Sequence, residues 1–194
     1  MKICVFTYDH EHAKTAQGLS AMWLHGYEPA VVWAAPWKDL GKHFDFCYHP
    51  SVYAARLGAE YVVASHKKPI DHGCDVGVVL GAKILPQSVI DTFRLGIINI
   101  HPGRIPENGG LKSYELEWNG RGSGRVTAHM IDARIDRGYK ILERDVMRFA
   151  DDTFESFVAR MNAEQMPALI DALKAAKGIH WSGRDYKTIF RRVA

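Results

Sequence analysis

Asn99-Ile100-His101-Pro102 closes the apolar run Gly96-Ile97-Ile98. Residues i and i+2 of a strand point to one face, so the Asn99 amide and the His101 imidazole project side by side. They do so where a buried strand gives way to the turn at Pro102-Gly103, the end at which open α/β sheets hold ligands. An amide N–H beside an imidazole that can carry a proton suits a reaction in which a carbonyl oxygen gains negative charge. Taken as a tetrapeptide alone, the same residues equally describe a turn asparagine and a surface histidine. A second polar cluster, His129 to Gly138, follows the glycine-rich segment from Gly103 to Gly124. Its Asp136 faces His101 if the two preceding strands are neighbours. A carboxylate there favours the imidazolium and fixes the ring's orientation. Asn99, His101 and Asp136 offer an amide, an acid/base and an orienting carboxylate, with no side-chain nucleophile and no metal. That set suits direct attack by a substrate amine on an activated acyl group.

The elements that must position these residues alternate in type. Ile3 to Thr7 reads as a buried strand, Ala13 to Tyr27 as a helix stopping near Gly26, and Pro29 to Ala35 as a second strand. A polar, aromatic stretch from Pro36 to Tyr48 follows, then a short helix at Ser51 to Gly58 and a strand at Tyr61 to Ala64. Lys67 to Gly73 reads as a loop and Asp75 to Gly81 as a buried strand. Pro86 opens a helix over Gln87 to Phe93, and Gly96 to Ile100 is the strand that delivers the amide and imidazole. This order predicts an α/β fold, a mostly parallel twisted sheet flanked by helices. Downstream, Ser113 to Trp118 suits a short helix, and Arg125 to Ile131 and Tyr139 to Phe149 suit two more strands. Asp152 with Glu155 resembles a capping box, followed by an apolar stripe from Phe154 to Leu173 that ends at Lys177-Gly178. Pro167 falls inside that stripe. An interior proline costs about 3 kcal/mol in a straight helix, so a kink or break is expected near Gln165. The organisation expected is one domain over 1–178 and a tail over 179–194.

Composition narrows the class. The 194 residues suffice for one well-buried core, and 47% hydrophobic with 24% charged residues is ordinary for a globular chain. A net charge of +3 is too small to argue for nucleic acid. Cys4, Cys47 and Cys74 form no CxxC pair and are odd in number, which suggests neither a disulfide framework nor a zinc site. Met1 to Phe6 is too short for a signal peptide and no other stretch is long enough to span a bilayer. A cytoplasmic protein without membrane or nucleic-acid partners is expected, with a homodimer as one allowed assembly.

Asn99-Ile-His101-Pro, Gly110-Leu111 nine residues on, and His129 with Asp136 resemble, in this order, the folate-dependent formyltransferase family. That family includes glycinamide ribonucleotide formyltransferase, the catalytic domain of methionyl-tRNA formyltransferase and the nucleotide-sugar N-formyltransferases. The likeness covers about residues 75 to 160. It implies a Rossmann-like domain that takes 10-formyltetrahydrofolate as co-substrate, needs no metal, and passes the formyl group to a primary amine of a small molecule. By resemblance, Asn99 donates to the formyl oxygen, His101 stabilises the oxyanion and manages a proton, and Asp136 holds His101 charged and helps take the amine proton. Ala82, Lys83, Ile84 and Leu85 match the stretch whose backbone meets the pterin ring, and Ile131 and Asp132 open the loop that closes over it. Pro102, Gly103 and Gly110 match the acceptor side.

Departures from the family pattern narrow the acceptor. Gly103-Arg104-Ile105-Pro106 stands where relatives carry Ser-Leu-Leu-Pro. Tyr8-Asp9-His10-Glu11-His12 replaces the phosphate-binding loop of the ribonucleotide enzyme, and Asn108 to Lys112 replaces the methionyl-tRNA enzyme's Arg-Gly-Ala-Ala-Pro. A nucleotide-linked amino sugar is the acceptor favoured, with glycinamide ribonucleotide or another amine as the alternative. Arg104, Lys112, Arg121 and Arg125 either meet an anionic substrate or form a solvated rim, the latter favoured. A silent folate-binding module of the same fold and a nucleotide-dependent oxidoreductase are the rivals. The second lacks a glycine fingerprint after Thr7, and Gly120-Arg121-Gly122-Ser123-Gly124-Arg125 precedes a strand rather than joining strand to helix. His10 with His12 reads as a solvated loop rather than a metal pair and Cys74 beside His72 as core; Gln165 stands where relatives place a substrate-contacting glutamate, with a surface helix position at least as favoured. The tryptophans read as packing, with Trp118 the exception to watch.

Overall fold

The computed structural model describes residues 1–37, 47–120, 122–132 and 134–181. Its elements in chain order are β1 (Ile3–Tyr8), α1 (Ala13–Leu24), β2 (Val31–Ala35), α2 (Pro50–Leu57), β3 (Glu60–Val63) and β4 (Val76–Val79). They continue with α3 (Gln87–Ile90), β5 (Ile97–His101), α4 (Ser113–Asn119), β6 (Gly124–Met130), β7 (Lys140–Val146) and α5 (Phe154–Trp181). One seven-stranded sheet results, in the order β3-β2-β1-β4-β5-β6-β7. In that order the strands from β3 to β5 pair in parallel, β6 pairs antiparallel with β5, and β7 pairs antiparallel with β6. The order reverses between β1 and β4, which makes their carboxyl ends the topological switch point. This is the expected mostly parallel, helix-flanked α/β architecture.

Each sheet face carries its own core. Val5, Val32, Val78, Ile98, Ile100, Val126 and Ala128 pack with α1 and α5 on one face. Phe6, Trp33 and Ile97 pack with Val89, Ile90 and Phe93 on the other. Strands covered on both sides read as unbroken apolar runs, which is how the sequence presents them.

Three expectations need correction. α5 runs unbroken through Pro167, because Phe157 and Met161 before it and Ala168, Leu169 and Leu173 after it are all buried against the sheet, and this packing outweighs one lost backbone bond. The helix also passes Gly178 and continues to Trp181, while residues 182–194 of the expected tail lie outside the described residues. The reciprocal cap at its start is made by Thr153 and Ser156, whose side chains each accept from the other's backbone N–H. Asp152 instead takes the Phe149 N–H and a two-pronged contact from Arg160. Of the stretch expected between Pro36 and Tyr48, residues 38–46 lie outside the described residues.

Phe157 is fully buried and joins the α5 face to β6 and α4. Phe157→Ala is expected to cost about 3–5 kcal/mol of unfolding free energy, read by denaturant titration.

Candidate active site

The antiparallel register of β5 and β6 sets Asn99 opposite His129 and His101 opposite Thr127. Side chains directly opposite in such a pair share a face, so all four project together where the parallel strands end. Asn99 Nδ2 lies 3.2 Å from His129 Nε2. The amide and the ring are within hydrogen-bonding reach of each other, and His129 Nδ1 lies 3.2 Å from the Met130 carbonyl. Asn99 also lines a cavity beside the sheet end.

Asp136 closes the group from the loop after β6. Its Oδ2 is 3.4 Å from His101 Nδ1 and its Oδ1 is 3.5 Å from His129 Nε2. The residue sits at φ 47°, a left-handed conformation uncommon outside glycine. The Gly110 N–H donates to its carboxylate at 2.8 Å. On the far side of the imidazole, His101 Nε2 donates to the Asn108 carbonyl at 2.8 Å.

The loop from 103 to 110 supplies both of those backbone contacts, and a buried carboxylate that sequence reasoning missed holds it. Glu117, on α4, accepts from the Arg104 N–H, the Arg104 guanidinium and the Asn108 amide at 2.6–2.7 Å. Arg104 also donates to the Ser123 carbonyl, so it is a brace and no part of an anion-binding rim. Thr127 Oγ1 donates to the Gly103 carbonyl at 2.7 Å. Gly103 is needed for close approach: a Cβ there would lie 2.9 Å from the Asn108 oxygen and 3.1 Å from His101 Nε2. No spacing rule flags Glu117, because its partners are set by the fold.

Charge in the cluster is finely set. Burial would raise the Asp136 carboxyl, but the His129 ring, the Gly110 N–H and the neighbouring imidazoles outweigh it and hold it down at about 2. Burial also pushes the His101 ring below its ordinary value. The Asn108 carbonyl and Asp136 pull it up, while His129 and Lys14 push with burial. The expectation that Asp136 keeps His101 charged is thereby reversed: at neutral pH desolvation prevails and the ring is neutral. Lys14, from the first turn of α1, is a further neighbour absent from the sequence reading. Its ammonium donates to the Ile100 carbonyl at 2.8 Å.

All six residues expected at the pterin, Ala82, Lys83, Ile84, Leu85, Ile131 and Asp132, line one cavity of about 180 Å³ with Asn99 and Asp136. A wider cleft of about 750 Å³ shares Lys83 and Ile84 with it and is walled by Tyr8, Trp37 and His66. Of the three residues expected at the acceptor, Gly103 is buried and Gly110 holds Asp136, so both act on the frame of the site, and Pro102 is half-buried in the turn. Arg125 pairs with Asp145 and Glu143, and Arg121 lies outside the described residues. His10 and His12 join Tyr8 and Trp37 in an aromatic cluster rather than a solvated loop. Among the described residues no group of three or more His, Cys, Asp or Glu is placed to hold a metal ion. Cys74 is core. Gln165 is buried, not a surface position, and donates to Asn162 and the Tyr114 hydroxyl. Trp118 packs on Phe154 and Phe157 beneath Arg148. No described helix is long and apolar enough to cross a membrane.

Comparison with known proteins bears on the same region. The formyl transferase family profile matches residues 50–173. The chain is 30% identical over 125 residues to the trifunctional purine biosynthetic protein adenosine-3 of Chironomus tentans, covering 63% of this chain and 9% of that one. It is 33% identical over 104 residues to the methionyl-tRNA formyltransferase of Thermosynechococcus vestitus, covering 52% of this chain and 31% of that one. The chain thus spans a third or less of these two curated relatives. Phosphoribosylglycinamide formyltransferase from Streptococcus pneumoniae superposes with a TM-score of 0.65 at 25% identity, over 89% of this chain and 98% of that one.

Glu117→Gln leaves Arg104 without its counter-charge in a mostly buried loop. The variant is expected to lose about 3 kcal/mol of stability, the low end for a broken buried pair because Arg104 keeps some solvent. Denaturant unfolding measures it.

Proposed function

The chain belongs to the formyl transferase family, and on that premise we propose that it transfers a formyl group from 10-formyltetrahydrofolate to a primary amine. The observation that carries this reading is the single cavity in which the six pterin-side residues meet Asn99 and Asp136. A flat, partly apolar slot with an amide donor and a carboxylate on its wall fits a folded-in heterocycle whose acyl group must be polarised.

The folate supplies the activated formyl group and takes a proton on the nitrogen that leaves. The protein's residues do the rest. Asn99, its amide beside the His129 ring, donates an N–H to the formyl oxygen as that oxygen gains charge. His101 rests neutral and takes up, through Asp136 and water, the proton that the attacking amine loses; it is charged beside the growing oxyanion, with its Nδ1 next to Asp136 and its Nε2 held by Asn108, until it returns that proton to the nitrogen that leaves. Asp136, ionised throughout the physiological range, stabilises that imidazolium and orients the amine, which gives up its proton toward the carboxylate through water.

For the acceptor we propose a nucleotide-linked amino sugar. The entry to α1 supports an acceptor without a phosphate at that point: Asp9 accepts from Tyr61 and pairs with His49, while Thr15 is bonded to Thr7 and His12. Acidic residues and closed hydroxyls there offer no anion cradle. The wider cleft, with Tyr8 and Trp37 as walls and Lys67 and Lys83 at its edge, suits a planar base with phosphates. A thermal-shift screen of folates with and without their glutamate tail, and of nucleotide sugars, tests both assignments. Stabilisation by folate but by no nucleotide sugar sinks the acceptor class, and stabilisation by neither sinks the transfer reading.

Asn99→Ala and His101→Ala are each expected to lower turnover roughly a hundredfold or more with little change in melting temperature. Wild-type rates in either variant remove the assigned role. The pH profile follows from the direction of the His101 shift. The working form is neutral, so kcat/KM is expected to fall as pH drops through a midpoint below the ordinary 6.5 of histidine. In Asp136→Asn, where the carboxylate no longer pulls the ring up, that midpoint should move further toward acid.

A further inference from the structure

Lys14 lies outside the set just described, yet it touches the strand that carries Asn99 and His101. Carbonyls along a strand alternate between its two neighbours. Ile97 O accepts from Ile131 on the β6 side and Gly96 O from Gly77 on the β4 side, so Ile100 O also points toward β4. The β4–β5 pairing ends at Val79 opposite Asn99, so Ile100 has passed the last residue that could serve it. Lys14 Nζ occupies that place at 2.8 Å. An ammonium is a costly way to satisfy a carbonyl in a half-buried position. A neutral donor would serve the backbone as well, which leaves the charge to be explained.

We infer that Lys14 is a positioning residue of this site: it ties the end of β5 to α1 and holds a positive charge behind the His101–Asp136 pair, which governs the pH at which that pair works. The inference rests on the formyl-transfer reading only for its consequence in catalysis. The groups facing His101 are Asp136 from the loop after β6, His129 from β6, the Asn108 carbonyl from the 103–110 loop, and Lys14 from α1. Those facing Lys14 are Asp136, His101 and His12 at the start of α1. Burial brings the Lys14 ammonium down to about 8 and Asp136 pulls it back up, so it is charged at neutral pH. Its charge opposes protonation of His101, while Asp136 favours it. The two therefore act on the ring with opposite signs, Lys14 adding to the larger effect of burial.

The test reads the His101 titration itself by NMR of the imidazole nitrogens, with His101→Gln identifying the signal, and needs no substrate. In K14M and K14Q the His101 midpoint is expected to rise measurably, and in K14R to stay at the wild-type value. Glutamine keeps an N–H for the Ile100 carbonyl, so a shift shared by K14M and K14Q but absent in K14R reports charge and not the lost bond. If K14M fails to fold, the K14Q and K14R pair decides alone. Equal midpoints in wild type, K14Q and K14R overturn the inference. Where an amine is turned over, the acid limb of kcat/KM should move with the midpoint. A normal His101 shift in a protein that formylates no amine upholds the electrostatic assignment and counts against the transfer reading instead.

Discussion

Pairing between β5 and β6 puts an amide opposite one imidazole and a second imidazole opposite a threonine, and a slip of one residue would turn the pair on one strand away from the pair on the other. Several features hold the register. Ile98, Ile100, Val126 and Ala128 fill the opposite face beneath α5, so a slip would bury either the Asn99 or the His129 side chain in hydrocarbon. The Thr127 hydroxyl is bonded to Gly103 just past the end of β5. An irregularity at Ala128/His129 in the pairing with β7 marks where β6 begins to turn toward Asp136. Catalytic geometry and core packing are thus two faces of one constraint, and the apolar face supplies the energy that fixes the polar one.

The second support is the loop from 103 to 110. His101 and Asp136 each depend on a backbone group from it, the Asn108 carbonyl and the Gly110 N–H. A loop of this composition would not hold those groups by itself. Glu117 does so by gathering three donors from Arg104 and Asn108 on one fully buried carboxylate. Arg104 stands at a leucine of the family pattern Ser-Leu-Leu-Pro. The charge pair it forms with Glu117 is the local answer to that departure, and it commits this arginine to bracing the loop.

Much of this was legible in the sequence because it depends on short-range periodicity. The alternation that places Asn99 beside His101 and the apolar runs of β1, β2, β4 and β5 are local properties. Lys14, Glu117 and Gln165 were not legible, since each is polar in the sequence and takes its meaning from burial against residues 51 to 86 positions away for Lys14 and Gln165, and from a loop crossing for Glu117. Pro167 shows the same limit in reverse. Propensity predicts an interruption, but the two halves of α5 are packed on the same sheet face, and tertiary contact decides. The sign of the His101 shift also escaped the sequence, because a neighbouring carboxylate can be guessed from spacing whereas the depth of burial cannot.

Both nitrogens of His101 face oxygen acceptors, a carbonyl at 2.8 Å and a carboxylate at 3.4 Å. Hydrogen bonding alone would therefore select the doubly protonated ring, which satisfies both. Burial, Lys14 and His129 select the neutral one. A ring caught between two such preferences is easily tipped, because a change of one pKa unit corresponds to only about 1.4 kcal/mol. A negative charge arising on an oxygen beside Asn99 is of the sign and in the place to tip it toward the charged form. The imidazolium so formed meets acceptors already in position, with no rearrangement of the surrounding protein. That is the physical content of preorganisation here: the frame is built for the charged state, and desolvation withholds the proton until the reaction provides a reason for it.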